Sequence, residues 1–262
     1  MKKTVPIVLL IILFAGAAWY SFMKEPDPVH ELPPPQVAPA LPATEQPPPQ
    51  TGTEGVYTET ESEPVMLPEP LPALGESDPE VTQALADMAG SEPLLDYLVR
   101  DQIISRLVAS IDSLTSRQVP ANINPVRPAG DKFIVDTEGD NLVLSARNFE
   151  RYDGYVALLR NMDTDQMQAF YDRYYPLFQQ AWEQNGGQGS IDDRLLEVID
   201  NLLATPVVDV PVYLTKPEAV YLFEDPELEA LTAGQKVLVR MGQENAATVK
   251  QKLMEIRSKL SR

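Results

Sequence analysis

Four carboxylates crowd the first three turns of one predicted helix: Asp192, Asp193, Glu197 and Asp200, with Arg194 among them. Asp193 and Glu197 stand one turn apart, a spacing at which two carboxylates can share a cation or divide general-acid and general-base roles. Acids near a helix start also complement its dipole, and such clusters are usually structural. A solvated or salt-bridged face is therefore the expectation for this one. Tyr171, Tyr174, Tyr175 and Trp182 could stack on sugar rings, but their helical spacing reads as core. The chain has no cysteine, and its one histidine, His30, lies in a proline-rich stretch. Thiol nucleophiles, Ser-His-Asp triads and the usual zinc sites are thereby removed, leaving carboxylate, lysine, tyrosine or hydroxyl chemistry. No catalytic, cofactor-binding or metal-ligating residue is assigned, and no cofactor is expected.

The elements that carry these residues run from Thr164 to Pro206. Met167, Phe170, Tyr171, Tyr174, Leu177, Phe178, Ala181 and Trp182 recur at steps of three and four, which predicts one apolar helical face. Asn185-Gly186 caps its end and Gly187 to Gly189 turn the chain. Ser190 caps a second helix whose stripe is Ile191, Leu195, Val198, Ile199, Leu202 and Leu203, stopped by Thr205-Pro206. So short a connection predicts an antiparallel pair, stripe against stripe. Pro176 sits inside the first helix, where it removes a backbone hydrogen bond; a kink is expected there, or a break into two helices.

Around this pair the chain reads as a mainly α domain with one β-hairpin. Asp78-Pro79-Glu80 supplies cap, first-turn proline and first-turn acid for a helix through Val81, Leu85 and Met88. Ser91-Glu92-Pro93 opens a further apolar turn, and Asp101 is the predicted cap of a helix running from Ile103 to Leu114. The proline-bearing segment from Val119 to Gly130 reads as an extended loop. Phe133 to Val135 and Leu142 to Leu144 flank Thr137-Glu138-Gly139-Asp140 and predict a β-hairpin. Ser145 and Asp153 are predicted to cap two short helices. Val207 to Leu214, β-branched but broken by Pro211, is either an edge strand or an extended connector. Asp225-Pro226-Glu227 repeats the helix-start pattern, a helix around Val237, Leu238 and Met241 ends at Gly242, and a last helix aligns Ala246, Val249, Leu253, Ile256 and Leu260.

Charge and hydropathy place this domain. Residues 1–3 are basic, and the uncharged run 4–23 has about the length that crosses a bilayer. Trp19, Tyr20 and Phe22 at its far end suit an interface belt. Lysines 2 and 3 then predict a cytoplasmic stub at 1–3, a single-pass signal-anchor in the inner (cytoplasmic) membrane, and residues 24–262 on the periplasmic or external side. Cleavage of a signal peptide after Ala15-Gly16-Ala17 is the competing reading. Residues 24–75 hold the acids Glu25, Asp27, Glu31, Glu45, Glu54, Glu59, Glu61, Glu63 and Glu69, no lysine beyond Lys24 and no arginine. With prolines throughout, they predict a disordered, partly polyproline II linker. The formal net charge of −18 argues against a nucleic-acid partner. Only 235–262 reverses the sign, with seven lysines and arginines against Glu244 and Glu255.

Several strings are familiar in this order: Ser77-Asp78-Pro79, Tyr152-Asp153-Gly154-Tyr155-Val156, Tyr175-Pro176-Leu177-Phe178-Gln179, Asp193 to Asp200, Leu203-Ala204-Thr205-Pro206, Ala233-Gly234-Gln235-Lys236 and Met241-Gly242. Over roughly residues 76–260 the chain resembles the bacterial domain of unknown function 3014 family. The resemblance implies a single-pass envelope protein with a proline-rich spacer and implies no reaction. The expected function is a non-enzymatic interaction or scaffold module over residues 76–262, its partner an envelope protein or the cell wall. The alternative is a carboxylate-dependent cell-wall glycan hydrolase, which a deep aromatic-lined cleft holding one buried acid would favour.

Overall fold

A computed structural model describes residues 70–89, 99–117, 123, 133–217 and 220–260. The predicted anchor at 4–23, nearly all of the predicted linker, the Ser91 turn and all of the Val119–Gly130 loop but Ile123 lie outside the described residues. Among those described, no helix is long and apolar enough to cross a membrane.

The domain is mainly helical with a small antiparallel sheet. A 3-10 turn at Leu74–Glu76 leads into α1 (Asp78–Ala89), then α2 (Ile103–Ser113), β1 (Val135–Glu138) and β2 (Asn141–Leu144). Next come α3 (Arg147–Asn161), α4 (Thr164–Gln184), α5 (Ile191–Leu203), β3 (Tyr213–Thr215), β4 (Leu222–Phe223), α6 (Pro226–Glu229), α7 (Ala233–Arg240) and α8 (Gln243–Leu260). Leu71 and Leu74 already pack on the core, ahead of Glu76.

The predicted stripes all turn inward, and both the 164–184 and 191–203 faces are buried. Their partners differ from expectation. Each helix packs less on the other than on a third: α4 lies mainly on α2, and α5 mainly on α8. The turn itself is tight, with Gln179 Nε2 donating to Gly189 O at 3.1 Å and Ile191 N donating to Gln179 Oε1 at 3.0 Å. The broad apolar stripes thus serve several neighbours at once instead of closing on each other.

Three cap assignments are corrected. Asp78 does not serve its own helix; its carboxylate accepts from Gln102 N at 2.7 Å and Ile103 N at 2.8 Å, capping α2. Asp101 is exposed and instead meets Arg106, whose Nε donates to its carbonyl at 2.8 Å. Asp153 caps nothing, because α3 runs unbroken from Arg147 to Asn161 with Tyr152, Tyr155, Val156 and Leu159 on one buried face. Continuous burial overrides the local cap signal. The helix α4 also continues through Pro176. Pro176 and Asp172 are both exposed, so the proline lies on the solvent face of the helix and the helix need not break there.

The hairpin forms, but its strands run closer to the turn than expected, with Thr137 paired to Leu142 and Glu138 to Asn141, and it grows into a four-stranded sheet ordered β1-β2-β3-β4. Val207 to Val212 is a connector that enters an inner strand, since Leu142 and Val143 pair with Leu214 and Tyr213. Its last residue joins the sheet through Leu144 N donating to Val212 O at 2.9 Å.

All eight residues of α7 are buried. Val237 and Leu238 belong to the helical core, while Val239 joins Leu144, Val212, Leu214 and Phe223 beneath the sheet. This short helix therefore fastens the two cores together. Gly234 permits the approach: a Cβ there would come within 2.6 Å of Leu202 Cδ2. Thr232 and Gln235 close a capping box at its start, and Gln235 Nε2 donates to Asn201 O at 2.9 Å.

Candidate functional site

The four carboxylates that opened the sequence reading do not converge. Asp192 accepts from the Tyr171 hydroxyl at 2.7 Å. That phenol is pushed far above its ordinary pKa, first by burial and then by the Asp192 charge. Glu197 meets Arg194 at 2.6 Å, and Arg194 also reaches Asp112 Oδ1 at 2.8 Å and Thr115 Oγ1 at 2.6 Å. Asp200 meets Arg257 Nε at 2.5 Å, and this hydrogen bond holds its carboxyl below the ordinary value. Asp193 is exposed. Among the described residues no group of three or more potential ligands is placed to hold a metal ion. Tyr171, Tyr174 and Trp182 are core residues, with Tyr175 packed edge-on against Tyr171.

The lysines and arginines of α8 likewise answer the domain itself. Lys250 Nζ donates to Thr205 O, Lys252 Nζ to Met162 O at 3.2 Å, Arg257 to Asp200 and Lys259 to Asp165. Burial lowers the pKa of Lys250.

What the sequence reading missed is a cleft under the connector that follows α5. Its walls are Pro206, Val207, Val208, Val210 and Val212 on one side and Ala246, Ala247 and Lys250 of α8 on the other, over a floor of Leu238, Val239 and Phe149. The space measures about 120 Å³. Local chemistry holds it open. Thr205 turns inward, its hydroxyl donating to Leu202 O at 2.7 Å, while its carbonyl accepts from Lys250. Farther along, Gln243 Nε2 donates to Val208 O at 2.8 Å and to Asp209 Oδ1 at 3.2 Å. The connector is thus pinned to α8 near both ends of this stretch, and the valines between and beyond are left at the rim. Val207 is 78% exposed and Val210 67%.

Gly242 makes the floor possible. It joins α7 to α8 at φ +82°, and a Cβ there would meet the Phe149 ring at 2.8 Å, so a side chain is excluded both by conformation and by space. Asn245 ties the same corner to α3, donating to Phe149 O at 3.1 Å and Asp153 Oδ1 at 2.9 Å. Two of the strings quoted above, Thr205-Pro206 and Met241-Gly242, meet at this place. The available signal was composition: four valines in six positions, 207–212, flanked by Pro206 and interrupted by Pro211, cannot all enter a ladder.

An apolar lining with one engaged lysine suits the capture of an apolar group and offers no acid–base pair. The buried polar and charged side chains among the described residues include no aspartate or glutamate. The buried acid in an aromatic-lined cleft that would favour glycan hydrolysis is therefore not found among them.

No curated protein matches the chain, and no solved structure does. The model of a family described as "Protein of unknown function (DUF3014)" matches residues 103–257, more than half of the chain and everything from α2 almost to the end of α8. The chain belongs to the DUF3014 family.

Proposed function

We propose that this protein is a single-pass envelope protein whose helical domain is a non-enzymatic interaction module. Residues 4–23 anchor it in the inner (cytoplasmic) membrane, residues 24–75 act as spacer, and residues 76–262 stand on the periplasmic or external side. The observation that carries the interaction role is the pair Val207 and Val210, exposed on the lip of an apolar cleft. Exposed valines beside a preformed apolar recess lose free energy to water until something covers them, and such surfaces mark binding sites. The uncharged run at 4–23 and the acidic, proline-rich stretch after it support the placement.

A photo-crosslinking amino acid placed at Val210 of the full chain, in living cells, tests the module. The expected result is a discrete adduct in the envelope fraction that disappears when Ala247→Trp fills the cleft. Adducts that are diffuse, or indifferent to Ala247→Trp, would remove the cleft as the binding surface. For topology, a reporter active only outside the cytoplasm should be active when fused after Arg262.

A further inference from the structure

The apolar cleft continues at both ends into concave surface, and the charges at the two ends are alike. Past Val208 and Val212, toward the sheet, the surface is lined by Asp209, Glu224 and Asp225. Past Phe149 and Gly242, toward α3, it is lined by Glu150, Asp153 and Glu244, against Arg160. All six carboxylates are exposed. Lys250, within the cleft, donates to the Thr205 carbonyl, and with Arg160 it offsets two of the six charges. The result is one aliphatic recess between two negatively charged troughs.

We propose that the cleft receives an extended segment of a partner protein in which an aliphatic side chain is flanked on both sides by lysine or arginine. This rests on the reading of the cleft as a binding surface and adds the chemistry of what binds. Volume sets the anchor: an apolar cavity of about 150 Å³ holds a molecule the size of benzene, so a space of about 120 Å³ takes one aliphatic side chain. Charge sets the flanks, because basic residues on either side of that anchor meet acids in both troughs while like charges are repelled. The same argument excludes two nearer occupants. The chain's own segment 25–69 carries nine acids and no lysine or arginine, and lipid headgroups of the inner membrane are anionic or neutral.

The test uses the full-length protein in nanodiscs of zwitterionic lipid, with empty nanodiscs subtracted. Three fluorescent twelve-residue peptides share a central leucine in a glycine–serine spacer and carry two lysines, two serines or two glutamates on each side. Fluorescence anisotropy is expected to show the lysine peptide binding at least tenfold tighter than the serine peptide, with the glutamate peptide weakest. The preference should shrink at 0.5 M salt, where screening acts within about 3–5 Å. Ala247→Trp should weaken the lysine peptide at least tenfold. Glu150→Lys combined with Glu224→Lys, both exposed, brings the charge of the lining to about zero and should abolish the preference for the lysine peptide over the glutamate peptide with an unchanged melting temperature. Equal binding of all three peptides, still lost in Ala247→Trp, would overturn the basic partner and leave the cleft as a binding surface. Binding of none, or binding indifferent to Ala247→Trp, would overturn both. A lysine peptide with serine in place of its leucine that binds equally well would overturn the aliphatic anchor, and a peptide of residues 26–42 that competes on equal terms would assign the cleft to the chain's own linker.

Discussion

Asp78 accepts a hydrogen bond from the backbone N–H of Ile103 at 2.8 Å, so the first turn of one helix caps the start of another. The same carboxylate takes Gln102 N at 2.7 Å, and Gln102 stands in the left-handed region at φ 52°, ψ 46°. A non-glycine residue there costs roughly 1–2 kcal/mol. The conformation aims two successive N–H groups at one anion, which offsets that cost with two charge-assisted bonds. Asp78→Ala should therefore destabilise the domain by about 1–2 kcal/mol, the range for losing a strong cap, whereas Asp101→Ala should change stability by less than about 0.5 kcal/mol, as exposed substitutions do. Urea denaturation of both variants checks the assignment.

Lys236 is almost wholly buried and pairs with Glu229, whose second oxygen accepts from Phe223 N at 2.9 Å. Removing one partner of a buried ion pair typically costs about 3–5 kcal/mol. Glu229→Ala is expected to fall at the low end of that range, because Glu229 is partly exposed. Adding Lys236→Met should restore most of the loss, since the charge requiring compensation is then gone. Thermal melts of the single and double variants give the comparison.

Glu80 on α1 joins Arg173 and Tyr174 on α4, accepting from Arg173 Nη2 at 2.8 Å and from the Tyr174 hydroxyl at 2.9 Å. The Arg173 hydrogen bond, then that of Tyr174, holds the Glu80 carboxyl below its ordinary value of 4.5. A depressed folded-state pKa contributes stability that is fully present above the ordinary value and is lost as pH falls through the folded one. Stability should therefore drop below about pH 4.5, and Glu80→Gln should flatten the part of that drop due to this carboxyl. Denaturant midpoints measured from pH 6 to pH 3 would show it.

Pro176 interrupts the hydrogen bonding of α4 at an exposed position. Pro176→Ala would restore a backbone N–H inside the helix. A proline in a helix interior costs ~3 kcal/mol, partly offset by the ~1 kcal/mol it removes from unfolded-chain entropy. The variant should gain about 2 kcal/mol by that difference, read as a higher denaturation midpoint. Loss of stability would show instead that the helix path at Pro176 is required by its neighbours.

Whatever depended on neighbours in the chain was legible from the residues alone. Apolar spacing of three and four placed α1, α2, α4, α5 and α8, because a helix repeats at 3.6 residues whatever it packs against, but it did not show that α3 runs unbroken. The hairpin at Gly139-Asp140, the Ser190 cap and the end at Gly242 are likewise local events. The strings that mark the DUF3014 family were visible for the same reason. What only the tertiary structure decided is which surfaces meet. An aspartate reads as a cap for the helix it precedes, yet Asp78 serves a helix 25 positions on. Broad stripes on α4 and α5 do not state their partners, so their division between α2 and α8 was not legible. Four acids on one helix look like a site until Tyr171 and Arg257 arrive from other helices to take Asp192 and Asp200, while Arg194 on the same helix takes Glu197. The cleft is the extreme case. Its valines, alanines and flanking carboxylates come from α3, the connector, the β3–α6 region and α8, and no single segment holds enough of it to be seen. A binding surface is a property of juxtaposed side chains, and long-range packing, not local propensity, sets the juxtaposition.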